Sequence, residues 1–306
     1  MGWCSAQPGA PDYFFASLTD CCQLSNGISH LNRYLKRLEL RGDFTISRNI
    51  LLIGCGKMGG ALLDHWMSGG ENFTIVDPML EQAPDNVRLV KDRAAIADDR
   101  FDTIIVAIKP QMIDDVLPDY AANLGDDGYV LSIAAGASAA RLKKAMGGAP
   151  VVRVMPNLPA AVGKGTSGVL AGPDVSEAQA SHAMEMMQRT GTAIAVESED
   201  MLDRATAVAG SGPGYVFEIA RAYVAAAEEL GFAPDQARAL VLGTMEGTIA
   251  MALANPDTAL EDLRNSVTSK GGTTAAGLDA LNGDGGLSDT LSATLQSAYD
   301  RAVELR

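Results

Sequence analysis

The chain is poor in the residues that build metal sites and disulfide frameworks. Its 306 residues include only four cysteines and three histidines. The cysteines form no Cys-x-x-Cys pair and the histidines are scattered, at the positions Cys4, Cys21, Cys22, Cys55, His30, His65 and His182. Neither a zinc site nor a disulfide framework is predicted, so we expect no metal and a reducing compartment.

The sequence also lacks a positive charge balance, long apolar runs and a recognisable leader. Its formal net charge of −14 would repel nucleic acid and anionic membrane surfaces, so neither is an expected partner. No apolar run approaches the length of a membrane span. The start of the chain has neither a basic region nor an apolar block, and acidic Asp12 and Asp20 suit a transit peptide poorly. These absences predict a cytoplasmic protein.

The composition that remains is typical of an Ala- and Gly-rich α/β protein, with 47% hydrophobic and 5% aromatic residues. The length allows one large core or two domains. Residues 1–48 are richer in aromatic residues and cysteine than the rest, and we predict a poorly ordered extension without a function. A partner-binding arm, or sequence upstream of the true start, are the alternatives. Residues 49–197 and 198–306 are predicted to form two domains.

The strongest motif is a glycine-rich loop that directly follows the apolar run Ile50–Ile53. The loop has the pattern Gly-x-Gly-x-x-Gly, and a helix-like segment comes next. This order presents backbone N–H groups and the helix dipole to a pyrophosphate. The loop residues predicted to bind a dinucleotide are Gly54, Cys55, Gly56, Lys57, Met58 and Gly59. A glycine-rich loop without a ligand is the alternative.

Apolar runs alternate with helical stretches as far as Val196, which predicts a Rossmann-type doubly wound parallel sheet with crossover helices. Further strands are predicted at Phe73–Val76, Val87–Val90, Thr103–Ala107, Tyr129–Ile133, Val151–Met155, Thr166–Leu170 and Ala193–Val196. Helices are predicted at Gln111–Asn123, Ser138–Met146 and Glu177–Arg189, the last with a capping box formed by Ser176 and Gln179.

An acidic residue, Asp77, ends the second predicted strand about 20 residues after the first loop glycine, where a ribose 2′-hydroxyl is usually bound. A carboxylate there accepts a hydrogen bond from that hydroxyl and repels a 2′-phosphate, which favours NADH over NADPH. The alternative is a solvated aspartate before a proline turn. Arg88, Lys91 and Arg93 follow closely and could soften the repulsion.

The ends of the later strands outline the rest of a dinucleotide cleft, because ligands bind at this edge of a doubly wound sheet. Each strand end is a weak signal by itself, since turns are often rich in Gly and Pro. The residues predicted to line the cleft are Ala107, Lys109, Pro110, Ala135 and Asn157, with Asn157 as an amide near the nicotinamide.

Beyond Glu199 the strand-like runs vanish, and consecutive helices are predicted at about 200–209, 213–230, 234–254, 256–265, 273–282 and 288–304. The fourth is expected to begin with Asn255 as its cap and Pro256 as its first residue. Two of the helices are apolar nearly all round. We therefore expect this all-α domain to form a homodimer, with a compact monomeric bundle as the alternative.

Two further glycine-rich stretches, 209–215 and 267–274, each precede a predicted helix. In the second, hydroxyls and bare N–H groups converge at a helix N-terminus, which is typical of a carboxylate site without arginine. An elaborate helix cap is the alternative.

Several motifs then occur in a fixed order: residues 54–59, Lys109-Pro110, residues 132–136, Met155-Pro156-Asn157 with Pro159, residues 210–213, and residues 269–274. From about Ile50 to its end, the chain carrying them resembles the pyrroline-5-carboxylate reductase family. The resemblance implies NAD(P)H-dependent reduction of a cyclic imino acid, 1-pyrroline-5-carboxylate, to L-proline, the last step of proline biosynthesis. It also implies a Rossmann domain followed by a helical dimerisation domain, with dimers often assembled into decamers.

By the same resemblance, the substrate would be held by Val267, Ser269, Gly271, Gly272, Thr273 and Thr274. We predict that Thr274 is the hydroxyl nearest the ring nitrogen. The chain departs from the family pattern at Lys270, usually Pro, at Leu158, often Thr, and at Asp77, often Ser. These departures bear on affinity and on cofactor choice.

Two other functions are compatible with parts of the sequence. A β-hydroxyacid dehydrogenase shares the Rossmann–helical plan and would need a lysine near the middle of the chain, for which Lys164 is available in a glycine loop. A non-catalytic nucleotide-binding scaffold would not need the second site at Ser269–Thr274.

Overall fold

The computed structural model describes residues 47–306, so the predicted extension lies almost entirely outside the described residues. One mixed sheet of eight strands forms the first half, in the order β3-β2-β1-β4-β5-β6-β7-β8. The strands are β1 (Asn49–Ile53), β2 (Asn72–Val76), β3 (Arg88–Val90), β4 (Phe101–Val106), β5 (Leu124–Ser132), β6 (Val151–Met155), β7 (Gly165–Ala171) and β8 (Gly191–Ala195).

The central strands are apolar over most of their length because both faces of the sheet are covered. In β1, Ile50 and Leu52 belong to one hydrophobic cluster, whereas Leu51 and Ile53 belong to the other. Trp66 of the first helix is fully buried in the cluster that contains Ile50. Strand β1 pairs in parallel with β2 on one side and with β4 on the other. This is the predicted doubly wound α/β class.

One part of the predicted parallel sheet is wrong, because β7 runs antiparallel to β6. A parallel connection needs a crossover of a dozen or more residues. The segment between these strands holds only a short 3₁₀ helix, Leu158–Val162, so the chain turns back instead of crossing over. The following strand, β8, is again parallel to its neighbour β7.

The α-helices of the sheet half are α1 (Lys57–Trp66), α2 (Ile113–Val116), α3 (Ala139–Ala145) and α4 (Glu177–Gln188). The predicted capping box at α4 is confirmed, since Gln179 N donates to Ser176 Oγ and Ser176 N donates to Gln179 Oε1. The predicted helix over 111–123 is confirmed in its extent, but only α2 within it is α-helical, because Pro110–Met112 before it and Leu117–Asn123 after it are 3₁₀ segments. Pro118, which lacks an N–H, lies in that segment.

The second half is helical, with α5 (Glu199–Ala205), a π-helical turn (Thr206–Gly210), α6 (Gly212–Glu229), α7 (Pro234–Ala254), α8 (Leu260–Ser266), α9 (Thr273–Leu281) and α10 (Leu287–Leu305). The predicted helix start at Pro256 is wrong. Thr258 N donates to the Asn255 carbonyl at 3.1 Å, which closes a turn there, and α8 begins only at Leu260.

The helices α8, α9 and α10 contain no buried residue, and α7 buries only Ala237 and Val241. Large apolar side chains are exposed on α6 and α7, including Phe217 at 69% and Leu253 at 76%. Among the described residues, α7 is long and apolar enough to cross a membrane by length and composition, contrary to the sequence expectation. A helix packed inside a protein assembly passes the same test.

Candidate active site

The ends of four strands meet along one edge of the sheet. Gly54 N donates to the Val76 carbonyl at 2.9 Å, Ala107 N to the Ile53 carbonyl at 2.9 Å, and Ile133 N to the Val106 carbonyl at 3.0 Å. The segments that follow β1, β2, β4 and β5 therefore begin side by side. This is the edge where ligands bind in doubly wound sheets.

The three glycines of the loop have different neighbours. Gly54 has φ +83°, and a Cβ there would lie 2.9 Å from the Ala107 carbonyl oxygen. A Cβ on Gly59 would lie 3.1 Å from the Gly54 carbonyl oxygen and 3.2 Å from Ala107 Cβ. Around Gly56 no atom lies within 4 Å of the corresponding position. The first and third glycines thus serve packing, whereas the second leaves open space for a ligand.

Helix α1 begins at Lys57, immediately after Gly56, and no side chain caps its first turn. Its backbone N–H groups therefore remain available to an anion at the positive end of the helix dipole. Met58 is half-buried against the core, whereas Lys57 is exposed. The open space and the uncapped helix together fit a dinucleotide pyrophosphate.

Asp77 is bound to the glycine loop through its side chain. Its Oδ2 accepts a hydrogen bond from Cys55 N at 2.8 Å, and its Oδ1 accepts from Met79 N at 2.8 Å and Leu80 N at 3.2 Å. Burial alone would raise the pKa of the Asp77 carboxyl, but these N–H donors and Lys91 lower it. The carboxylate is therefore charged at neutral pH and keeps lone pairs for a ribose hydroxyl.

The three cations near Asp77 in the sequence have partners elsewhere. Arg88 forms a salt bridge with Asp99 at 2.6 Å, and the Lys91 ammonium donates to the Leu80 carbonyl. Arg93 Nε donates to Asn123 Oδ1 at 3.3 Å, at the end of the 3₁₀ segment after α2. Arg88 and Arg93 are thus engaged by other groups, whereas Lys91 stays close enough to Asp77 to lower the pKa of its carboxyl.

Cys55 contributes to this site through its backbone rather than its thiol. Burial raises the pKa of the thiol, and the negative charges of Asp77 and Asp64 raise it further. A protonated thiol is a poor nucleophile.

The remaining strand-end residues are placed as the sequence predicts, at or next to the same edge. Lys109 and Ala135 are exposed and Ala107 is half-buried. The Pro110 carbonyl accepts a hydrogen bond from Arg141 Nη2 at 3.0 Å, which ties the loop after β4 to α3.

Asn157 differs from its sequence-based interpretation, because both ends of its amide are bonded to backbone. Its Nδ2 donates to the Ala209 carbonyl at 2.9 Å, and its Oδ1 accepts from Thr166 N at 2.8 Å. The residue is 7% exposed. Its partner Ala209 lies in the π-helical turn, a link that no sequence motif indicated.

The predicted substrate loop, residues 267–274, connects α8 to α9. Gly271 has φ +71°, and Gly272 precedes the first turn of α9 without a side-chain cap. Val267 is 60% exposed, and Ser269, Thr273 and Thr274 are exposed as well. The hydrogen bonds of Val267, Thr268 and Gly272 are all to neighbours within α8, the loop and the first turn of α9. Within one chain, these bonds do not tie the loop to the sheet edge.

Lys164, the lysine of the alternative dehydrogenase function, is exposed in the loop before β7. Within residues 47–306, no group of three His, Cys, Asp or Glu side chains is placed to hold a metal ion.

The fold and the sheet edge define a dinucleotide-binding α/β protein with a helical C-terminal half. Residues 49–136 match the family model described as NADP oxidoreductase coenzyme F420-dependent, and residues 199–305 match pyrroline-5-carboxylate reductase dimerisation. The pyrroline-5-carboxylate reductase of Vibrio alginolyticus is 36% identical over 84% of this chain and 97% of its own length. That of Methanosarcina acetivorans is 32% identical over 85% and 98%. The chain belongs to the pyrroline-5-carboxylate reductase family.

Solved structures agree with this assignment. A pyrroline-5-carboxylate reductase from Coxiella burnetii superposes with a TM-score of 0.78 at 31% identity, over 85% of this chain and 98% of that one. The Plasmodium falciparum pyrroline carboxylate reductase with NADP bound shares the fold, with a TM-score of 0.73 at 24% identity over 84% and 98%.

The neighbours of Gly56 lead to a test of the cofactor site. We expect Gly56→Ala to fold with an unchanged melting temperature, because its methyl group meets only open space. The methyl would fill the volume needed by the pyrophosphate, so the Kd for NADH should rise at least tenfold in a fluorescence titration. Gly60→Ala is the matched control, since its Cβ would have only Cys55 Sγ nearby, at 3.9 Å. Equal NADH affinity in both variants would contradict this assignment.

Proposed function

We propose that this chain reduces 1-pyrroline-5-carboxylate to L-proline with NAD(P)H, the final step of proline biosynthesis. The observation that carries the proposal is likeness to pyrroline-5-carboxylate reductases over 84% of this chain and 97% of the Vibrio alginolyticus relative, together with two separate glycine-rich loops in one chain. The first, at Gly54–Gly59, is shaped for a dinucleotide. The second, at Ser269–Thr274, offers hydroxyl and N–H groups suited to a carboxylate.

The chain's contribution to the reaction is positioning and exclusion of water. When bound, NAD(P)H supplies a hydride to the imine carbon of the substrate. The ring nitrogen ends with a proton, and an imine that binds already protonated needs no strong general acid. Thr274 accepts a hydrogen bond from that nitrogen in our proposal. Val267, Ser269, Gly271, Gly272 and Thr273 hold the substrate carboxylate on hydroxyl and backbone N–H groups.

A homodimer formed through the helical half is part of the proposal. The support is the match of residues 199–305 to a dimerisation model and the exposure of large apolar side chains on α6 and α7. Burying this surface against a second copy would remove it from water. Light scattering on the purified protein should give at least twice the 31.9 kDa mass of one chain, and further assembly would give a decamer. A monomer at micromolar concentration would contradict the proposal.

We further propose a cytoplasmic location and a division of the described chain near residue 198 into a cofactor domain and a substrate domain. The first rests on the acidic charge and the family's biosynthetic chemistry. The second rests on the change from strands to helices after β8.

The activity and the cofactor preference can be tested together. Purified protein mixed with pyrroline-5-carboxylate should oxidise NADH faster than NADPH, because the Asp77 carboxylate repels a 2′-phosphate. Asp77→Asn removes the charge but replaces one of the two accepting oxygens with an NH2 donor, so the ratio is the readout: kcat/KM of NADPH relative to NADH should rise about tenfold, roughly 1.4 kcal/mol. Asp85→Asn, an exposed change in the same segment, is the control. If the absorbance at 340 nm falls neither with NADH nor with NADPH, the proposed activity is overturned.

Thr274→Ala tests the substrate site independently of the cofactor site. Loss of the hydroxyl nearest the ring nitrogen should lower kcat/KM for pyrroline-5-carboxylate about 10- to 100-fold, or about 1.4 to 2.7 kcal/mol, with the Kd for NADH unchanged. Thr268→Ala is the matched control, because the Thr268 hydroxyl already donates to the Arg264 carbonyl at 2.7 Å. Full turnover and substrate affinity in Thr274→Ala would show that another group faces the nitrogen.

A further inference from the structure

The π-helical turn Thr206–Gly210 has a backbone carbonyl without a helical partner. The carbonyl of Ala209 would normally accept from the N–H four residues later, but that residue is Pro213, which has no N–H. The next donor along the chain, Gly214 N, bonds to the Ser211 carbonyl at 2.9 Å instead. Ala209 is partly buried, and a carbonyl withdrawn from water in this way costs free energy unless another donor reaches it.

Asn157 supplies the missing donor from the end of β6. Its Nδ2 lies 2.9 Å from the Ala209 carbonyl oxygen, and its Oδ1 accepts from Thr166 N at 2.8 Å. Both partners are backbone groups of fixed polarity, so the amide has one favourable orientation. At 7% exposure, the side chain is shielded from competing water.

The same turn is packed closely against the strand end. A Cβ on Gly210 would lie 3.0 Å from Met155 Cε and 3.5 Å from Met155 Cγ, so only glycine allows this approach without displacement. Ser211 N donates to the Thr206 carbonyl at 2.9 Å, which completes the wide turn. Segments that are about fifty residues apart in the sequence, at β6 and at the start of α6, thus form one joint.

We propose that Asn157 is a positioning residue that fixes the start of α6 against the cofactor edge, rather than a ligand of the nicotinamide. The joint connects the sheet that ends at the cleft to the helices that carry the substrate loop. π-Helical turns are frequent at functional sites. The inference rests on the proposed reductase function for its kinetic consequence, but the structural link it describes does not.

A double-variant cycle tests the role of Asn157. Asn157→Ala removes the donor to Ala209 and also the acceptor of Thr166 N, so kcat/KM for pyrroline-5-carboxylate should fall about tenfold while the Kd for NADH changes less than twofold. Pro213→Ala places a backbone N–H four residues after Ala209, where it can satisfy the same carbonyl. In the Pro213→Ala background, Asn157→Ala should lower kcat/KM less than threefold. It should also lower the melting temperature by less than it does in the wild-type background.

Three outcomes would overturn the proposal. The first is a rise in the Kd for NADH at least as large as the loss of kcat/KM, which would make Asn157 a cofactor ligand. The second is an equal loss of kcat/KM on Asn157→Ala in the wild-type and Pro213→Ala backgrounds. The third is wild-type kcat/KM in Asn157→Ala.

If Asn157→Ala does not fold, Asn157→Asp is used in the same cycle, because it keeps an acceptor for Thr166 and lacks the N–H. An assay of the unmutated protein, done first, tests the reductase function itself. If that protein is inactive, the melting temperatures of the same variants still test the link between Asn157 and Ala209.

Discussion

The close approach of Gly54 to Ala107 is the constraint on which the cofactor site depends. Strand β1 lies between β2 and β4, and its last residue accepts a hydrogen bond from Ala107 N at 2.9 Å. The chain must leave β1 in a left-handed conformation, with φ +83°, under the carbonyl of Ala107. Only this exit delivers Gly56 and the first turn of α1 to the open edge. Asp77, at the end of β2, then accepts from Cys55 N and holds the loop in place.

Much of the sheet could be predicted because buried parallel strands read as continuous apolar runs. All eight strands occur where such runs indicated them, with bounds that differ by a few residues. The reversal at β7 was missed because apolar runs carry no direction. The connection from Pro156 to Lys164 held the information, since it is shorter than a helical crossover needs. Pro118 similarly argued against a regular α-helix over 111–123, where the structure has mostly 3₁₀ turns.

The error in the helical half and the missed partner of Asn157 have different physical causes. Asn-Pro is a strong helix-start signal, but at Asn255 the same residues close a turn, because Thr258 N bonds to the Asn255 carbonyl at 3.1 Å. The sequence analysis singled out Asn157 but did not predict its hydrogen bond to the Ala209 carbonyl. A link to Ala209 depends on the wide turn and on Pro213, which together free one carbonyl. Such a long-range requirement leaves no periodic trace in the sequence.

Asp77 has a structural role in the glycine loop beside the specificity role that we propose for it. Its carboxylate accepts three backbone hydrogen bonds, from Cys55, Met79 and Leu80, and still has a lone pair available. A serine hydroxyl, common at this place in the family, has fewer lone pairs and no charge. It could not hold the loop and the turn after β2 in the same way. If the proposed preference for NADH holds, cofactor choice in this chain is coupled to the geometry of the glycine loop, because the carboxylate that we propose to disfavour a 2′-phosphate is also the acceptor that fixes Cys55.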